Sequence, residues 1–455
     1  VHTTPRGLRS LFVTIKRLAA VVAVTTLCLI GVQWSQHGKS FFDPIDETAH
    51  FDYVMLLTQG QIPAWGDTYS QETLLIADCL GSYFEPDRVN NCSDTIRDAT
   101  QYPPEGFSYE AQQPPLGYVA YVPGALFFQG ETPEKYLNHV RDWGGAALIG
   151  VSGVFLFLLS RKLRLGFWLT VLLSGIIMLA PSATTALGIV SNDGPTLVGA
   201  LGFTLALVSS FLWSRRTSAI VGAGVGVALG LIKSSTLVLP FGALCAIVGY
   251  SVVRVIRRRS TFTHEGGRGE FIFAASAFVA NGVVAALFHG YQSIRATVPS
   301  GVVLNSLLGF LTTDVIQPAT ILSSIGNLMQ IWGGHSNGLI TSPQLFYVIN
   351  SAFLVLLGFS AWMLGTSRAG WSDVPVRAFQ VVAVNWISTI ILFGVSWPVL
   401  QFLQGGFNFD AAIRFGLLVL PLVGVLIAGG LRTNGAFDGA DVRQHDRADT
   451  EPSGR

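Results

Sequence analysis

The chain has 455 residues, of which 28 are Lys or Arg and 27 are Asp or Glu, so only 12% are charged, about half of the roughly 25% usual in a soluble domain. Half of the residues are hydrophobic and the net charge is +1. These values exclude a disordered chain, a disulfide-dense secreted scaffold and a nucleic-acid binder, and they leave too little polar surface for several soluble domains.

A spanning helix needs about 20 apolar residues. In chain order, ten candidate spans cover residues 15–34, 143–160, 166–187, 195–213, 217–232, 236–253, 271–290, 346–365, 378–397 and 415–431, the fifth being the shortest. Arg6 and Arg9 precede the first span, and Lys16 and Arg17 stand at its start, as cations do in a secretory signal. No small-x-small cleavage site precedes Trp34, however, and a retained first helix suits a chain that crosses repeatedly. The expected fold is all-α: a polytopic integral membrane protein of about ten transmembrane helices, with one transmembrane domain over residues 1–432.

Placing the N-terminus in the cytoplasm makes 20 of the 28 Lys and Arg cytoplasmic, as the positive-inside rule requires. Two large extracytoplasmic loops follow, residues 35–142 and 291–345, and the polar residues 433–455 read as a disordered cytoplasmic tail. Of the 27 acids, 19 lie outside on this map, 16 of them in the first loop. Cys79 and Cys92 are the two cysteines of that loop, whereas Cys28 and Cys245 lie in apolar spans, so a disulfide between the first pair is expected. Residues 114–130 are apolar but too short to span, and read as a helix at the outer interface. The thin cytoplasmic side and the absence of a Gly-rich Lys phosphate loop argue against an ATP-driven pump.

The densest polar constellation follows the first span: Asp43-Pro44-Ile45-Asp46-Glu47-Thr48-Ala49-His50-Phe51-Asp52. Pro44 suits a first helical turn with Asp43 as its cap, which would put Asp46 and His50 on one face. A carboxylate there could act as a general base. Asp43, Asp46, Glu47 and His50 could instead hold a divalent ion, the lesser option given a single His, and acids in a first helical turn also complement the helix dipole. Lys233, among apolar neighbours between the fifth and sixth spans, either snorkels to headgroups or is a cation placed for a lipid phosphate or carboxylate. Arg414, at the mouth of the tenth span, either pairs with Asp410 or offers a fork to phosphate oxygens. Ser191-Asn192-Asp193 is either ordinary turn chemistry or a further polar element of the same face. His289, Arg295 and His335 are lone residues on that side.

Taken together, these segments resemble the polyprenyl-phosphate-sugar glycosyltransferases of the GT-C superfamily, which include protein O-mannosyltransferases and the lipid A aminoarabinose transferase. Asp46-Glu47-x-x-His50-Phe51 is similar to their P-D-E-x-x-H-F signature, with Ile45 in the place of the proline. Gln112-Gln113-Pro114-Pro115-Leu116-Gly117-Tyr118 resembles H-P-P-L-x-Y, with Gln113 where many relatives have His. Gly230 to Ser235 resembles their G-L-x-x-x-T-K segment, Ser191-Asn192-Asp193 their S-N-D turn, Ile331-Trp332-Gly333-Gly334 a W-G element, and Arg414-Phe415 with Pro421 their R-Y-x-x-P stretch.

The resemblance implies transfer of a sugar from a polyprenyl-phosphate donor to an acceptor hydroxyl of a glycan, lipid or protein, with inversion, at the extracytoplasmic face of the cytoplasmic membrane. It implies Asp46 as the base with Glu47 beside it; His50, Asp193 and Gln113 orienting the acceptor; Lys233 and Arg414 at the donor phosphate, with Arg141 and Arg295 in reserve; and no cofactor. A transporter or flippase of a lipid-linked solute is the alternative. It would call for repeated halves with ionisable groups at mid-membrane, whereas here the ionisable groups gather at one face.

Overall fold

The computed structural model describes residues 6–36, 41–43, 46–81, 92, 98–102, 106–256, 268–298, 360, 380–385 and 409–433. Most of the second loop, the spans expected at 346–365 and 378–397 (apart from 360 and 380–385), the Trp332 element, His335, the Arg414 side chain and the tail lie outside the described residues. Within them the chain is all-helical, and the sole extended pairing is an isolated bridge between Thr68 and Phe107.

The helices are α1 (Arg6–Gln36), α2 (Glu47–Thr58), α3 (Gln71–Leu80), α4 (Val122–Phe127), α5 (Pro133–Lys162), α6 (Phe167–Met178), α7 (Pro181–Gly188), α8 (Asp193–Ser210), α9 (Arg215–Ile232), α10 (Val238–Ile256), α11 (Arg268–Arg295) and α12 (Phe409–Thr433). Four contain stretches long and apolar enough to cross a membrane: Ser10–Trp34, Pro133–Lys162, Arg215–Ile232 and Gly269–Arg295. A fifth crossing results if α6 and α7 act as one span bent by 59°. That bend has a local cause. Pro181 opens α7, and the residue before a proline is pushed out of the helical region; Ala180 accordingly sits at φ −59°, ψ 131°.

Large apolar side chains point outward along these helices, Val22, Ile30, Val154, Ile220, Val279 and Leu287 among them. A soluble bundle would carry charge on such faces, and lipid makes their exposure favourable. Helix α1 packs on α5, α6 and α7, α12 packs on α6 and α8, and α9 packs along α11. The last contact is unusually close because Gly222, Gly226 and Gly230 face Phe273, Ala277 and Asn281 one helical turn at a time, a small-residue seam of the kind that packs apolar helices without a hydrophobic driving force.

The bundle has two unlike poles. At one, Arg17 donates to the Leu165 carbonyl (2.6 Å) and lies within electrostatic reach of Arg161 and Arg432. The turn there is a Schellman motif: Leu165 N–H bonds Ser160 O and Arg164 N–H bonds Arg161 O, with Arg164 left-handed at φ 53°. At the other pole, segments 41–43, 46–81, 98–102 and 106–132 pack over the ends of α5, α8, α9 and α11. Cys79 and Cys92 are joined there by a disulfide.

Two helix starts differ from the sequence expectation. Helix α2 begins at Glu47, not near Pro44, with Asp46 left-handed (φ 59°, ψ 7°) and its side chain making no cap bond. Asp46 thus precedes the helix instead of sharing a face with His50. Helix α5 begins at Pro133, ten residues before the expected span, with Pro133 and Glu134 in a first turn that suits both; the added turns carry Glu134, Lys135, Asn138, His139, Arg141 and Asp142, which precede the apolar run.

Candidate functional site

The polar pole holds two buried networks. The first centres on Glu47, which is fully buried. Its Oε1 accepts from Arg141 Nε (2.7 Å) and from the Val190 amide (2.8 Å); its Oε2 accepts from Arg141 Nη2 and from the Asp43 amide (2.7 Å). Arg141, 1% exposed, also donates to the Phe41 carbonyl and to Asn138 Oδ1. A bidentate guanidinium and two amides thus fill the acceptor sites of the carboxylate. The arrangement ties α2 to α5 and to the turn before α8. It is a structural clamp.

The second network joins four segments far apart in sequence. Tyr118 donates its hydroxyl to Glu110 Oε2 (2.8 Å), and His50 Nδ1 lies 3.0 Å from the same hydroxyl and 3.4 Å from the same carboxylate oxygen. Asn192 Nδ2 donates to Glu110 Oε2 (3.2 Å) and to the Tyr118 oxygen (3.3 Å). Asn192 Oδ1 accepts from Lys233 Nζ (2.9 Å), which also donates to Asp193 Oδ1 (2.7 Å). Lys233 is about one-seventh exposed, its side chain standing at 14%.

Backbone geometry explains how these groups meet. α9 ends at Ile232, and Lys233 leaves it extended (φ −162°, ψ 132°). Thr236 caps the break by donating towards the carbonyls of Leu229 and Lys233 while accepting from Asn281 on α11 (3.0 Å). Gly117 permits the close approach of the third segment, since a Cβ there would stand 2.9 Å from the Ile232 carbonyl and 3.2 Å from Asn192 Cβ. Tyr53 stacks on Tyr118 with ring centroids 4.2 Å apart and donates to the Gln113 carbonyl.

Asp46 accepts from the Tyr109 hydroxyl, one residue from Glu110. A left-handed non-glycine residue is strained, less so for Asp than for most, and such strain is concentrated at functional positions. Burial, then the charges of nearby acids, holds the hydroxyls of Tyr109 and Tyr118 well above the ordinary phenol range, so both stay protonated donors. Asp52, in contrast, is turned towards α3: its Oδ1 accepts from the Ser70 amide and hydroxyl (2.9 and 2.7 Å), while Oδ2 has no hydrogen-bond partner among the described residues.

The structure therefore brings together Asp46, His50, Asp193, Gln113 and Lys233 on one pole, near the Glu47–Arg141 clamp. Arg295 is apart from the network, exposed, bonded to the Ile62 carbonyl and the Tyr291 hydroxyl. Asp43, Asp46, Glu47 and His50 do not form a common ligand set, because Glu47 faces Arg141 and His50 faces Tyr118; among the described residues no group of three or more His, Cys, Asp or Glu is arranged for a metal. Glu110 was not legible as a site residue. It is one of many acids in an acidic loop, and the sole hint was its place two residues before Gln112-Gln113-Pro114.

No protein-family model and no curated protein sequence matches the chain. The resemblance to the glycosyltransferases rests on its motifs alone.

Proposed function

We propose that the protein is a membrane glycosyltransferase that takes a sugar from a polyprenyl-phosphate donor and inverts the anomeric centre. One observation carries the reading: the segments bearing the resemblance, at 46–51, 112–118, 191–193 and 230–235, each contribute a side chain to one buried hydrogen-bonded network, joined by Glu110, at a single pole of an apolar helical bundle. In this reading the helices are spans of a ten-helix GT-C-like domain. The pole with Arg17, Arg161 and Arg432 is cytoplasmic, and the network faces the extracytoplasmic side.

The acceptor hydroxyl attacks the anomeric carbon from the face opposite the phosphate. A glycosidic C–O bond forms, the sugar–phosphate C–O bond breaks, and its electron pair leaves on the polyprenyl phosphate. Asp46 takes the hydroxyl proton. Lys233, the partly exposed cation, stabilises the charge that develops on the phosphate, in exchange for part of its contact with Asp193. Asp193 and Gln113 orient the acceptor side. Arg414 joins Lys233 at the donor phosphate, with Arg295 in reserve. Glu47 and Arg141 are not carried forward as an orienting carboxylate and a reserve phosphate ligand, since each already satisfies the other. Divalent-metal dependence is read from the same assay by adding a chelator.

The test is transfer from labelled polyprenyl-phosphate pentoses and hexoses by the purified protein in liposomes. Asp46→Asn should lower transfer about 10²–10⁴-fold, and Lys233→Met should lower it with a raised donor KM. Transfer unaffected by Asp46→Asn refutes the base. Movement of the donor between leaflets without any transfer would establish the transporter instead.

A further inference from the structure

The second network has a fixed hydrogen-bond polarity from one end to the other. The Lys233 ammonium can only donate, so the Asn192 oxygen must face it (2.9 Å) and the Asn192 amide nitrogen must face Glu110 and Tyr118. The Glu110 carboxylate can only accept. The single Tyr118 proton therefore goes to Glu110 (2.8 Å), and the Tyr118 oxygen is left with lone pairs for the Asn192 amide and for His50. A lone pair on that oxygen requires a proton on His50 Nδ1, 3.0 Å away. In the neutral ring this leaves Nε2 as an acceptor. His50 is 1% exposed, and its Nε2 is buried with no hydrogen-bond partner among the described residues. A buried acceptor left open is costly, and the orienting partners of an imidazole decide which nitrogen is free to work.

We propose that Glu110, acting through Tyr118, is a positioning residue that holds His50 in the Nδ1–H tautomer, so that His50 Nε2 accepts a hydrogen bond from a second hydroxyl of the acceptor, beside the one that attacks. The inference rests on the glycosyltransferase reading for the identity of that hydroxyl, but its tautomer does not. The chemistry of the open atom selects the ligand class: a lone pair backed by a carboxylate repels a phosphate oxygen and takes a neutral O–H donor. The network thereby separates the two substrates, with the cation at the Lys233 end for the anionic donor and an acceptor lone pair at the His50 end for the hydroxyl.

The experiment combines ¹⁵N magic-angle-spinning NMR of imidazole-labelled full-length protein in lipid with steady-state kinetics. The His50 signal is assigned by its loss in His50→Gln. In the neutral ring, wild type should show the Nδ1–H tautomer. The near-isosteric Glu110→Gln should shift population towards Nε2–H, as should Tyr118→Phe. The same variants should raise the acceptor KM about tenfold or more with the donor KM unchanged. His50→Gln, whose amide reaches the Nε2 position, should retain more acceptor affinity than His50→Ala.

A wild-type Nε2–H tautomer overturns the inference. So does an acceptor KM indifferent to Glu110→Gln and His50→Ala, the result expected if Nε2 meets only a buried water. Should no donor be turned over, the tautomer and its response to Glu110→Gln still decide the positioning role, and the function proposal fails separately.

Discussion

Replacing Arg141 by Met probes the Glu47 clamp directly. The carboxylate would keep only the Asp43 and Val190 amides, at a position with no solvent exposure. Removing one partner of a buried ion pair costs about 3–5 kcal/mol because the other charge stays desolvated. At about 1.4 kcal/mol per factor of ten, the folded-to-unfolded ratio falls by roughly 10² to several times 10³. Glu47→Gln should be similarly damaging, since it leaves the guanidinium uncompensated. The double variant should cost less than the sum of the two, with a coupling towards the upper part of the roughly 0.5–3 kcal/mol range of contacting pairs. Arg141→Lys should rescue poorly, because an ammonium cannot reproduce the two-pronged contact. The assay is equilibrium unfolding in mild detergent, monitored by Trp fluorescence. If Arg141→Met keeps wild-type stability but loses sugar transfer, or if the two effects simply add, the clamp is wrong and Arg141 is free for a ligand.

The seam between α9 and α11 predicts a contrast between neighbouring glycines. A Cβ at Gly226 would stand 2.3 Å from the Ala277 carbonyl oxygen and 2.8 Å from its Cα, whereas one at Gly224 meets nothing within 4 Å. Gly226→Ala should cost about 1–3 kcal/mol by forcing the helices apart, while Gly224→Ala should be neutral or stabilise by up to about 1 kcal/mol; equal effects in the unfolding assay would refute the close approach. Burial raises the Asp52 carboxyl above its ordinary range, against the opposing hydrogen bonds from the Ser70 amide and hydroxyl. Because the folded value is raised, the stabilisation from Asp52 is full below the unfolded value of about 3.9 and is lost as pH rises through the folded value. Asp52→Asn, which keeps the Ser70 contact through Oδ1, should therefore gain on wild type between pH 4 and pH 8 in unfolding midpoints, and a constant difference across that range would contradict the assignment.

What could be read from the sequence was whatever depends on local composition. The apolar helices, the pairing of Cys79 with Cys92 and the polar segment after α1 all follow from hydropathy, spacing and compartment chemistry, which require no knowledge of neighbours. Even the errors have local causes. Helix α5 extends ten residues ahead of its apolar run because its first turns are polar and hydropathy does not register them as helix, and α2 starts later because Asp46 takes a left-handed turn that Pro44 does not announce.

Partnership was decided by the tertiary structure. Two carboxylates of the same type, Glu47 and Glu110, look alike in sequence; one is saturated by a guanidinium and two amides, and the other orders a chain from Lys233 to His50. Charge scarcity and its uneven distribution located the polar pole from sequence alone. Which charges are already neutralised there, and which still face an open position, depends above all on contacts between residues 40 to 143 positions apart. Such contacts leave no periodic trace in the chain, because only packing brings them within hydrogen-bonding range.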